Sequence, residues 1–310
     1  MPRYLDPKND IPFKKIFGEH QDLMISFLNS LLPLPAGREI VELEYLSPEL
    51  VPNNPFLKDS FVDVRCTDAQ KRQFFVEMQM YWNQIFLQRM LYNTAKLYVR
   101  ELETGDPYGA LKPVYGLAIL NDIMTDAEGG KEHTHWYHRY QMTEETHSQE
   151  KILGVDLTLI ELPLFKPESV VERQMTRLWL RFLKEVRHDT DQVAPELLAN
   201  EYTRSALRIC EEGAYSPAER EAYENYWVAA WSRTAELHAG REEGRKEGLA
   251  EGLEKGLEKG REEGREEGRE EGEKQSALRI AERLKQKGFS PAEIAETTGL
   301  SIDEVQKLLS

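Results

Sequence analysis

The apolar residues of the N-terminal segment 13–32 recur at helical spacing, and the prolines that follow it end the pattern. Apolar and polar residues then alternate with the period of a strand, until the helical period returns over residues 84–102. The predicted strands are residues 39–46, 60–67, 73–81, 114–120, 134–142 and 155–162. This order, α-β-β-β-α-β with further strands, predicts a mixed α/β sandwich whose central sheet is covered by helices.

After Pro167 the apolar pattern is helical, which predicts helices over residues 169–187, 195–211 and 217–238. We expect these helices to pack on the first unit. The pattern therefore divides the chain into four parts. They are an α/β core (1–166), a helical extension packed on that core (167–239), a charged linker or helix of glycine repeats (240–275) and a small helix-turn-helix-like module (276–310).

The segment 240–275 is a short-period repeat without an apolar core. Glycine occupies every fourth position from Gly240 to Gly272, and Arg, Glu, Lys and Leu fill almost all positions between them. Pairs of opposite charge four residues apart favour a helix, whereas each interior glycine costs about 1 kcal/mol relative to alanine. Two interpretations stay open: a solvated helical linker, or a wound contact between copies of the chain.

The last segment, 276–310, predicts two short capped helices. Ser290 begins the first, Gly299 ends it, and Ser301 begins the second. DNA-reading helices usually carry basic residues, and the second helix carries more acidic than basic ones. We therefore favour a helical interaction module over a DNA-reading one, and we expect a homo-oligomer formed through residues 240–310.

Composition narrows the classes of function. The net charge is −15 at pH 7, so any contact with nucleic acid must be local and assisted by a metal ion. The apolar runs are far shorter than the roughly 20 residues that a membrane span needs, and the N-terminus lacks the apolar core of a signal peptide. Cys66 and Cys210 are too few for a disulfide scaffold. We expect a cytoplasmic protein without a membrane partner.

Three polar residues on two neighbouring strands are the candidates for chemistry. Glu77 and Gln79 share one face of their strand, because side chains alternate between the two faces. A hairpin loop of three residues, 69–71, would place Asp63 directly opposite Glu77, with Cβ atoms about 4.5–5.5 Å apart. Two opposite carboxylates repel each other, and a hard cation such as Mg²⁺ relieves that repulsion.

A Mg²⁺ ion held by Asp63 and Glu77 would polarise a phosphoryl oxygen and activate a water, which suits phosphodiester hydrolysis. Gln79 could orient that water or contact a phosphate. The alternative is a solvent-facing sheet face whose register keeps the two carboxylates apart. The pattern Asp…Glu-x-Gln does not by itself decide between these interpretations.

Four segments resemble the Rpn family of recombination-promoting nucleases, also described as transposases, within the PD-(D/E)XK nuclease superfamily. The segments are DPKNDIPFKKIFG (6–18), SFVDVRCTD (60–68), QFFVEMQ (73–79) and ELPLF (161–165). The resemblance covers nearly the whole chain, including the glycine-repeat tail, and the predicted α-β-β-β-α-β order matches the superfamily core. It implies a restriction-endonuclease-like fold and a role in recombination or in mobile elements.

The resemblance also implies roles for individual residues. Asp63 would be the motif aspartate, Glu77 the second metal ligand, and Gln79 would stand in the place of the motif lysine. Val62 occupies the position of the name-giving proline. Because glutamine cannot serve as a cation, a water or a residue of the next helix must supply that function.

The helix that follows these strands offers a candidate surface for DNA phosphates. Arg89, Tyr92 (or Asn93), Lys96 and Arg100 fall on one stripe of this helix. The alternative is an ordinary solvated helix face.

Two further groups of residues are weaker candidates. Asp10 and Lys14 of the N-terminal segment could approach the site, and Glu19 is a candidate third acid. The second group is three histidines that are close together in the sequence, His133, His135 and His138. On a strand over residues 134–142 they would lie on two faces, so we favour a polar strand or loop over a zinc site.

The leading hypothesis is a Mg²⁺-dependent DNA endonuclease whose catalytic residues are Asp63, Glu77 and Gln79. The alternative is a catalytically weak DNA- or partner-binding protein that assembles through its C-terminal tail.

Overall fold

The structure, a computed structural model, describes residues 3–50, 60–102, 104–125, 133–147, 150–169 and 173–309. The chain forms two compact units, Met1–Thr234 and Ala235–Ser310. Among the described residues, no helix is both long enough and apolar enough to span a membrane.

The elements follow the predicted order. The strands are β1 (Leu43–Leu46), β2 (Glu49–Leu50), β3 (Ser60–Phe61), β4 (Val64–Asp68), β5 (Gln73–Gln79), β6 (Val114–Leu120), β7 (Tyr137–Thr143) and β8 (Lys151–Glu161). The helices are α1 (Asp10–Glu19), α2 (Gln21–Leu31), α3 (Ile85–Val99), α4 (Gln174–Glu185), α5 (Pro195–Ala199), α6 (Glu201–Cys210), α7 (Pro217–Gln286), α8 (Pro291–Thr298) and α9 (Ile302–Leu309).

The first unit is built on a six-stranded sheet in the order β1-β4-β5-β6-β8-β7, and β2 pairs with β3 separately. The strand β4 pairs antiparallel with β1 on one side and with β5 on the other, whereas β5, β6 and β8 run parallel. A parallel pair needs a crossover connection, and α3 provides it between β5 and β6. The last strand, β7, closes the far edge antiparallel to β8.

Helices cover both faces of this sheet. On one face α1, α2, α4 and α6 bury a core that includes Phe17, Phe27 and Trp179. On the other face α3 packs over the strands and buries Phe75 and Phe86. The predicted α/β fold is therefore confirmed.

One glycine sets the packing next to the candidate site. Gly116 of β6 lies beside Phe75 of β5 in the sheet register. A Cβ atom at Gly116 would come within 2.6 Å of Phe75 Cζ and 2.8 Å of Leu157 Cδ2. The missing side chain thus makes room for the aromatic ring that packs under α3, two residues before Glu77.

Two predicted helices are each divided in the structure. The segment 13–32 forms α1 and α2, because His20 takes an extended conformation with φ −120° and ψ 98°. The segment 195–211 forms α5 and α6, and the side chain of Asn200 caps α6 by accepting hydrogen bonds from its first backbone N–H groups. Each break lets two short helices bury their apolar sides in the same core.

The predicted strand over 60–67 is also interrupted, at Val62 and Asp63. The backbone N–H of Val62 donates to the carbonyl of Pro48 at 3.1 Å instead of extending the main ladder. Val62 therefore packs in the core under α3, whereas Val64 packs in the core on the other face of the sheet.

In the second unit the glycine repeat is helical, since α7 includes the whole segment 240–275. An added Cβ atom at any of its glycines would meet nothing within 4 Å. Leu249, Leu253 and Leu257 are exposed at four-residue spacing along this helix. The repeat therefore buries neither its glycines nor these leucines within the described chain.

The C-terminal module has the predicted capped helices. Ser290 and Glu293 form a capping box at the start of α8, and Gly299 ends that helix with a left-handed φ of 70°. The hydroxyl of Ser301 accepts from the backbone N–H of the residue three positions on, at the start of α9. Ile294 packs against α7 and α9 residues in a small core of its own.

Candidate active site

The hairpin between β4 and β5 has the three-residue loop that the sequence predicts. Its register pairs Val64 with Val76 and Thr67 with Gln73, so the position opposite Glu77 is that of Asp63. Lys71 takes the left-handed conformation, φ 63°, which a three-residue hairpin loop requires at this place.

The side chain of Asp68 fixes that loop. Its Oδ1 accepts hydrogen bonds from the backbone N–H of Gln70 at 3.0 Å and of Arg72 at 2.9 Å. Its Oδ2 forms a buried ion pair with the Arg72 guanidinium. The loop is thus held by three contacts of one carboxylate, and the register of the two strands follows from it.

Asp63 lies immediately before β4, where the regular ladder ends. Its Oδ2 accepts a hydrogen bond from the backbone N–H of Met78 at 2.6 Å. The carboxylate, rather than a backbone carbonyl, therefore satisfies this N–H of β5. This contact holds the Asp63 side chain against β5, one residue from Glu77.

Glu77 is almost completely buried, with 4% of its surface exposed, because α3 covers its face of the sheet. Its Oε2 accepts a hydrogen bond from Arg89 Nη2 at 2.9 Å, and its Oε1 accepts one from Asn93 Nδ2 at 3.0 Å. The donors are four residues apart on α3, so they share one side of the helix. The alternative interpretation, a solvent-facing sheet face, is therefore wrong for Glu77.

Gln79 is joined to Glu77 by the same arginine. The Nη2 group of Arg89 donates to Gln79 Oε1 at 2.9 Å as well as to Glu77 Oε2. The amide of Gln79 donates in turn to the carbonyl of Tyr81 at 2.7 Å. A cation from the next helix therefore lies beside Gln79, the residue that the family resemblance puts in the place of the motif lysine.

The two carboxyl groups titrate abnormally. Burial raises the pKa of Asp63 to about 7, the hydrogen bond from Met78 opposes the rise, and the nearby negative charges of Glu77 and Asp10 add to it. Burial also raises the pKa of Glu77, and Arg89 and Asn93 oppose that rise. Both carboxyl groups are therefore costly to ionise in their buried positions.

This charge distribution fits a hard cation. Mg²⁺ is usually bound by one or two carboxylates together with water and phosphate oxygens. Asp63 and Glu77 are such carboxylates, and the raised pKa of Asp63 marks a place where added positive charge would be favourable.

The N-terminal candidates are divided by the structure. Asp10 and Lys14 form an exposed ion pair of 2.8 Å on α1, and both charges act on Asp63. Glu19 is at the opposite end of α1, and its charge acts on Tyr45 and on Tyr215 instead. The N-terminal half of α1, with Asp10 and Lys14, therefore lies near the site, whereas its last residue, Glu19, does not act on Asp63.

The candidate phosphate-binding residues of α3 have different environments. Arg89 is half exposed, although its guanidinium is engaged by Glu77 and Gln79. Tyr92 is 39% exposed, and Lys96 is buried with its ammonium 5.6 Å from the Tyr92 ring centroid. Arg89 and Tyr92 are therefore the two of these three side chains that solvent reaches.

Sequence reasoning did not connect α7 with this site. Burial raises the pKa of Tyr226, and so do the negative charges of Asp10 and Asp63, which places the α7 tyrosine near both. Tyr81, directly after β5, and Trp227 of α7 line a neighbouring cavity of about 880 Å³. No local pattern links positions that are more than a hundred residues apart, so the sequence carried no signal for this contact.

Comparisons with known proteins identify one relationship. The family model described as "PD-(D/E)XK nuclease family transposase" matches residues 7–240. No curated protein and no solved structure matches the chain. The matched range includes Asp63, Glu77 and Gln79 as well as α3.

We expect Asp63→Asn to stabilise the metal-free protein at neutral and alkaline pH but not at acidic pH. The pKa of Asp63 is raised from 3.8 to about 7 in the folded protein, so the folded state keeps a proton that the unfolded state releases between these values. Stability is therefore lost as the pH rises through about 7, and the amide avoids that loss while still accepting from Met78 N–H.

Thermal unfolding in EDTA measures this effect. The difference in Tm between variant and parent should grow from about pH 4 to about pH 7 and then level off. Glu44→Gln, which removes an exposed carboxylate from β1, is the matched control and should show no such growth. A difference for Asp63→Asn that stays constant across this range would contradict the assignment of its pKa.

Proposed function

Because the chain belongs to the PD-(D/E)XK nuclease family of transposases, we propose that it is a Mg²⁺-dependent endonuclease that hydrolyses phosphodiester bonds in DNA. One observation carries the proposal. Asp63 and Glu77 are opposite each other across the hairpin register, and the negative charge of Glu77 helps to raise the pKa of Asp63. Such a pair is suited to binding a divalent cation.

In this proposal Asp63 and Glu77 hold the metal ion. The bound ion would supply Lewis-acid polarisation of the scissile phosphate and would lower the pKa of the attacking water. Asp63 has to lose its proton to act as a ligand, and Met78 N–H keeps its carboxylate oriented. Asn93 orients Glu77 from α3 by donating to its Oε1.

Arg89 takes the part that lysine would have in the motif. Its guanidinium contacts both Glu77 and Gln79, so its positive charge lies beside Gln79, the position that the motif lysine would occupy. A fixed cation there stabilises the negative charge that develops on the phosphoryl oxygens in the transition state. Gln79 positions the guanidinium through its Oε1.

DNA would be bound by local contacts, because the chain as a whole is acidic. We propose Arg89, Tyr92 and Lys96 of α3 as phosphate contacts, together with Lys14 of α1, whose charge acts on Asp63. Lys96 would have to extend outward from its buried position to reach a phosphate. We also propose a cytoplasmic location, which agrees with the two free, buried cysteines.

A second function has one observation in its favour. The guanidinium of Arg89 forms an ion pair with Glu77, at 2.9 Å from its Oε2. A protein that keeps this ion pair closed would bind DNA or a partner while cleaving poorly, and it would assemble through its tail.

We propose that residues 240–310 join copies of the chain. The exposed leucines Leu249, Leu253 and Leu257 follow one another at four-residue spacing beside glycines that permit close approach of a second helix. Positions four apart lie on nearly the same side of a helix. The stripe is therefore suited to contact between two such helices.

We expect Asp63→Asn and Glu77→Gln each to reduce Mg²⁺-dependent cleavage of supercoiled plasmid by at least about 100-fold, because a metal ion supplies several kcal/mol of charge stabilisation and about 1.4 kcal/mol is a factor of ten. EDTA should abolish cleavage by the parent. Glu44→Gln should cleave as the parent does, since this exposed carboxylate of β1 is outside the site. Full activity of either site variant would refute the assignment of metal ligands.

We expect Arg89→Gln to lower the cleavage rate at saturating Mg²⁺ by about 100-fold, the usual loss when one electrostatic group is removed from a transition state. The double variant Arg89→Gln with Gln79→Lys should recover part of that loss, because lysine returns a positive charge to the same place. Single-turnover cleavage measures both effects. If the double variant were no more active than Arg89→Gln, the proposed role of the cation would be wrong.

We expect a chain that ends at residue 239 to contain fewer copies per particle than the full-length protein, as given by the molar mass from light scattering divided by the mass of one chain. Full-length protein with Leu249, Leu253 and Leu257 changed to Gln should show the same decrease in copy number, since the exposed apolar stripe is lost while the helix-forming residues remain. An unchanged copy number in both variants would identify the tail as a passive linker.

A further inference from the structure

A second cluster of candidate metal ligands lies at the end of β8, two strands away from Gln79. Glu161, the last residue of β8, is completely buried. Its Oε2 accepts a hydrogen bond from the backbone N–H of Met124 at 2.7 Å. Its Oε1 is also buried but accepts no well-oriented hydrogen bond. Burial of a carboxylate oxygen without such a donor costs free energy, so a hydrogen-bond donor or a cation at this oxygen would be stabilising.

Two imidazoles approach that oxygen. Glu161 Oε1 is 2.7 Å from His138 Nε2 and 3.3 Å from His133 Nδ1. The Nδ1 atom of His133 is itself buried and has no hydrogen-bond partner. The three ligand atoms all lie within 4.8 Å of one another. The two nitrogen atoms and the oxygen atom are therefore close enough together to bind one metal ion.

The backbone on each side of the cluster is fixed. The N–H of Glu161 donates to the carbonyl of Trp136 at 2.8 Å, and the N–H of His133 donates to the carbonyl of Met124 at 2.9 Å. His138 is opposite Leu159 in the register of β7 and β8. The histidines are thus held beside Glu161 by the same hydrogen bonds that connect the edge of the sheet.

Strand alternation over residues 134–142 would put the three histidines on two faces, which disfavours a metal site. In the structure β7 begins at Tyr137, so His133 belongs to the segment before the strand and its side chain is not bound by that alternation. His135 stays outside the cluster, with its ring next to the hydroxyl of Thr134. The third ligand is Glu161, which the sequence places 23 residues after His138 and without a recognisable spacing.

We propose that His133, His138 and Glu161 bind one Zn²⁺-type divalent transition-metal ion. Two imidazole nitrogens and one carboxylate oxygen are a zinc donor set, and three protein ligands leave a position for water or another ligand. Mg²⁺, in contrast, prefers a shell of oxygen atoms. Binding requires His138 Nε2 to be unprotonated, so this atom exchanges its contact with the carbonyl of His135, at 2.8 Å, for the metal.

This site is separate from the one at Asp63 and Glu77. Gln79, Leu120 and Glu161 are successive neighbours across β5, β6 and β8. Two strand spacings separate Gln79 from Glu161 by about 10 Å. The inference therefore does not rest on the proposed nuclease activity. A metal ion here would link the edge strand β7 and the segment before it to β8, the neighbouring strand.

Zinc binding to the full-length protein tests the proposal. Titration with Zn²⁺ in excess Mg²⁺, followed by calorimetry, should give one site per chain in the parent. His133→Gln and His138→Gln should weaken binding by at least about tenfold, the smallest loss usual even for groups that only support a metal ligand. Both side chains are partly exposed, so these variants should fold, which circular dichroism checks.

Two variants separate this site from other sources of binding. His135→Gln removes a neighbouring histidine that is outside the cluster, and it should bind Zn²⁺ as the parent does. Asp63→Asn should also keep Zn²⁺ binding, and Co²⁺ bound to both variants should give the visible absorption of the parent.

Three results would overturn the proposal. They are an absence of Zn²⁺ binding by the parent, equal binding by His133→Gln and His138→Gln, or loss of binding in Asp63→Asn alone. The first result would leave the cluster as a histidine–carboxylate ion pair.

Discussion

Asp63 and Glu77 lie opposite each other at the open end of the β4–β5 hairpin, and the groups around them limit how their negative charges can be compensated. The loop between β4 and β5 sets the register, so Asp63 is opposite Glu77. Removing both carboxylates from water makes their ionisation costly, and the raised pKa of Asp63 expresses that cost. Asp63 is stabilised by a backbone N–H and by the charge of Lys14, and Glu77 is stabilised by Arg89 and Asn93. In our proposal a divalent cation offsets the rest of this cost.

The helix α3 therefore has two functions in the fold. Its apolar side closes the core over Phe75, next to the close approach at Gly116. Its polar side carries Arg89 to Glu77 and Gln79. Because α3 is also the crossover between the parallel strands β5 and β6, its position follows from the sheet topology. In our proposal, Arg89 supplies through this packing the cation that glutamine cannot provide at position 79.

Local rules were sufficient for the hairpin but not for its surroundings. The strand alternation and the loop length gave the register of Asp63 and Glu77, because both are properties of adjacent residues. The burial of Glu77 could not be read in the same way, since it depends on a helix packing over a face that looks polar in sequence. The break at Val62 and the turn at His20 were missed for a related reason, because tertiary packing overrides the local period there.

The second cluster shows the same difference between local and tertiary signals. The three histidines are conspicuous in sequence, but Glu161 joins them only because β7 and β8 pair at the sheet edge. A buried carboxylate at the end of an apolar strand is the one feature that could have pointed to it. The tail differs again, since its helix agrees with the pattern of the repeat, whereas the contact that we propose for its exposed leucines involves a second chain.

Direct observation of a bound metal ion is the sharpest test of the account. A crystal structure of the protein grown with Mn²⁺ should show an anomalous difference peak between Asp63 and Glu77, with a carboxylate oxygen of each within about 2.0–2.2 Å of the peak, near the distance typical of Mg²⁺. A structure at the same Mn²⁺ concentration with no peak there, and with Arg89 still bridging Glu77 and Gln79, would contradict the claim that these two carboxylates form a metal site.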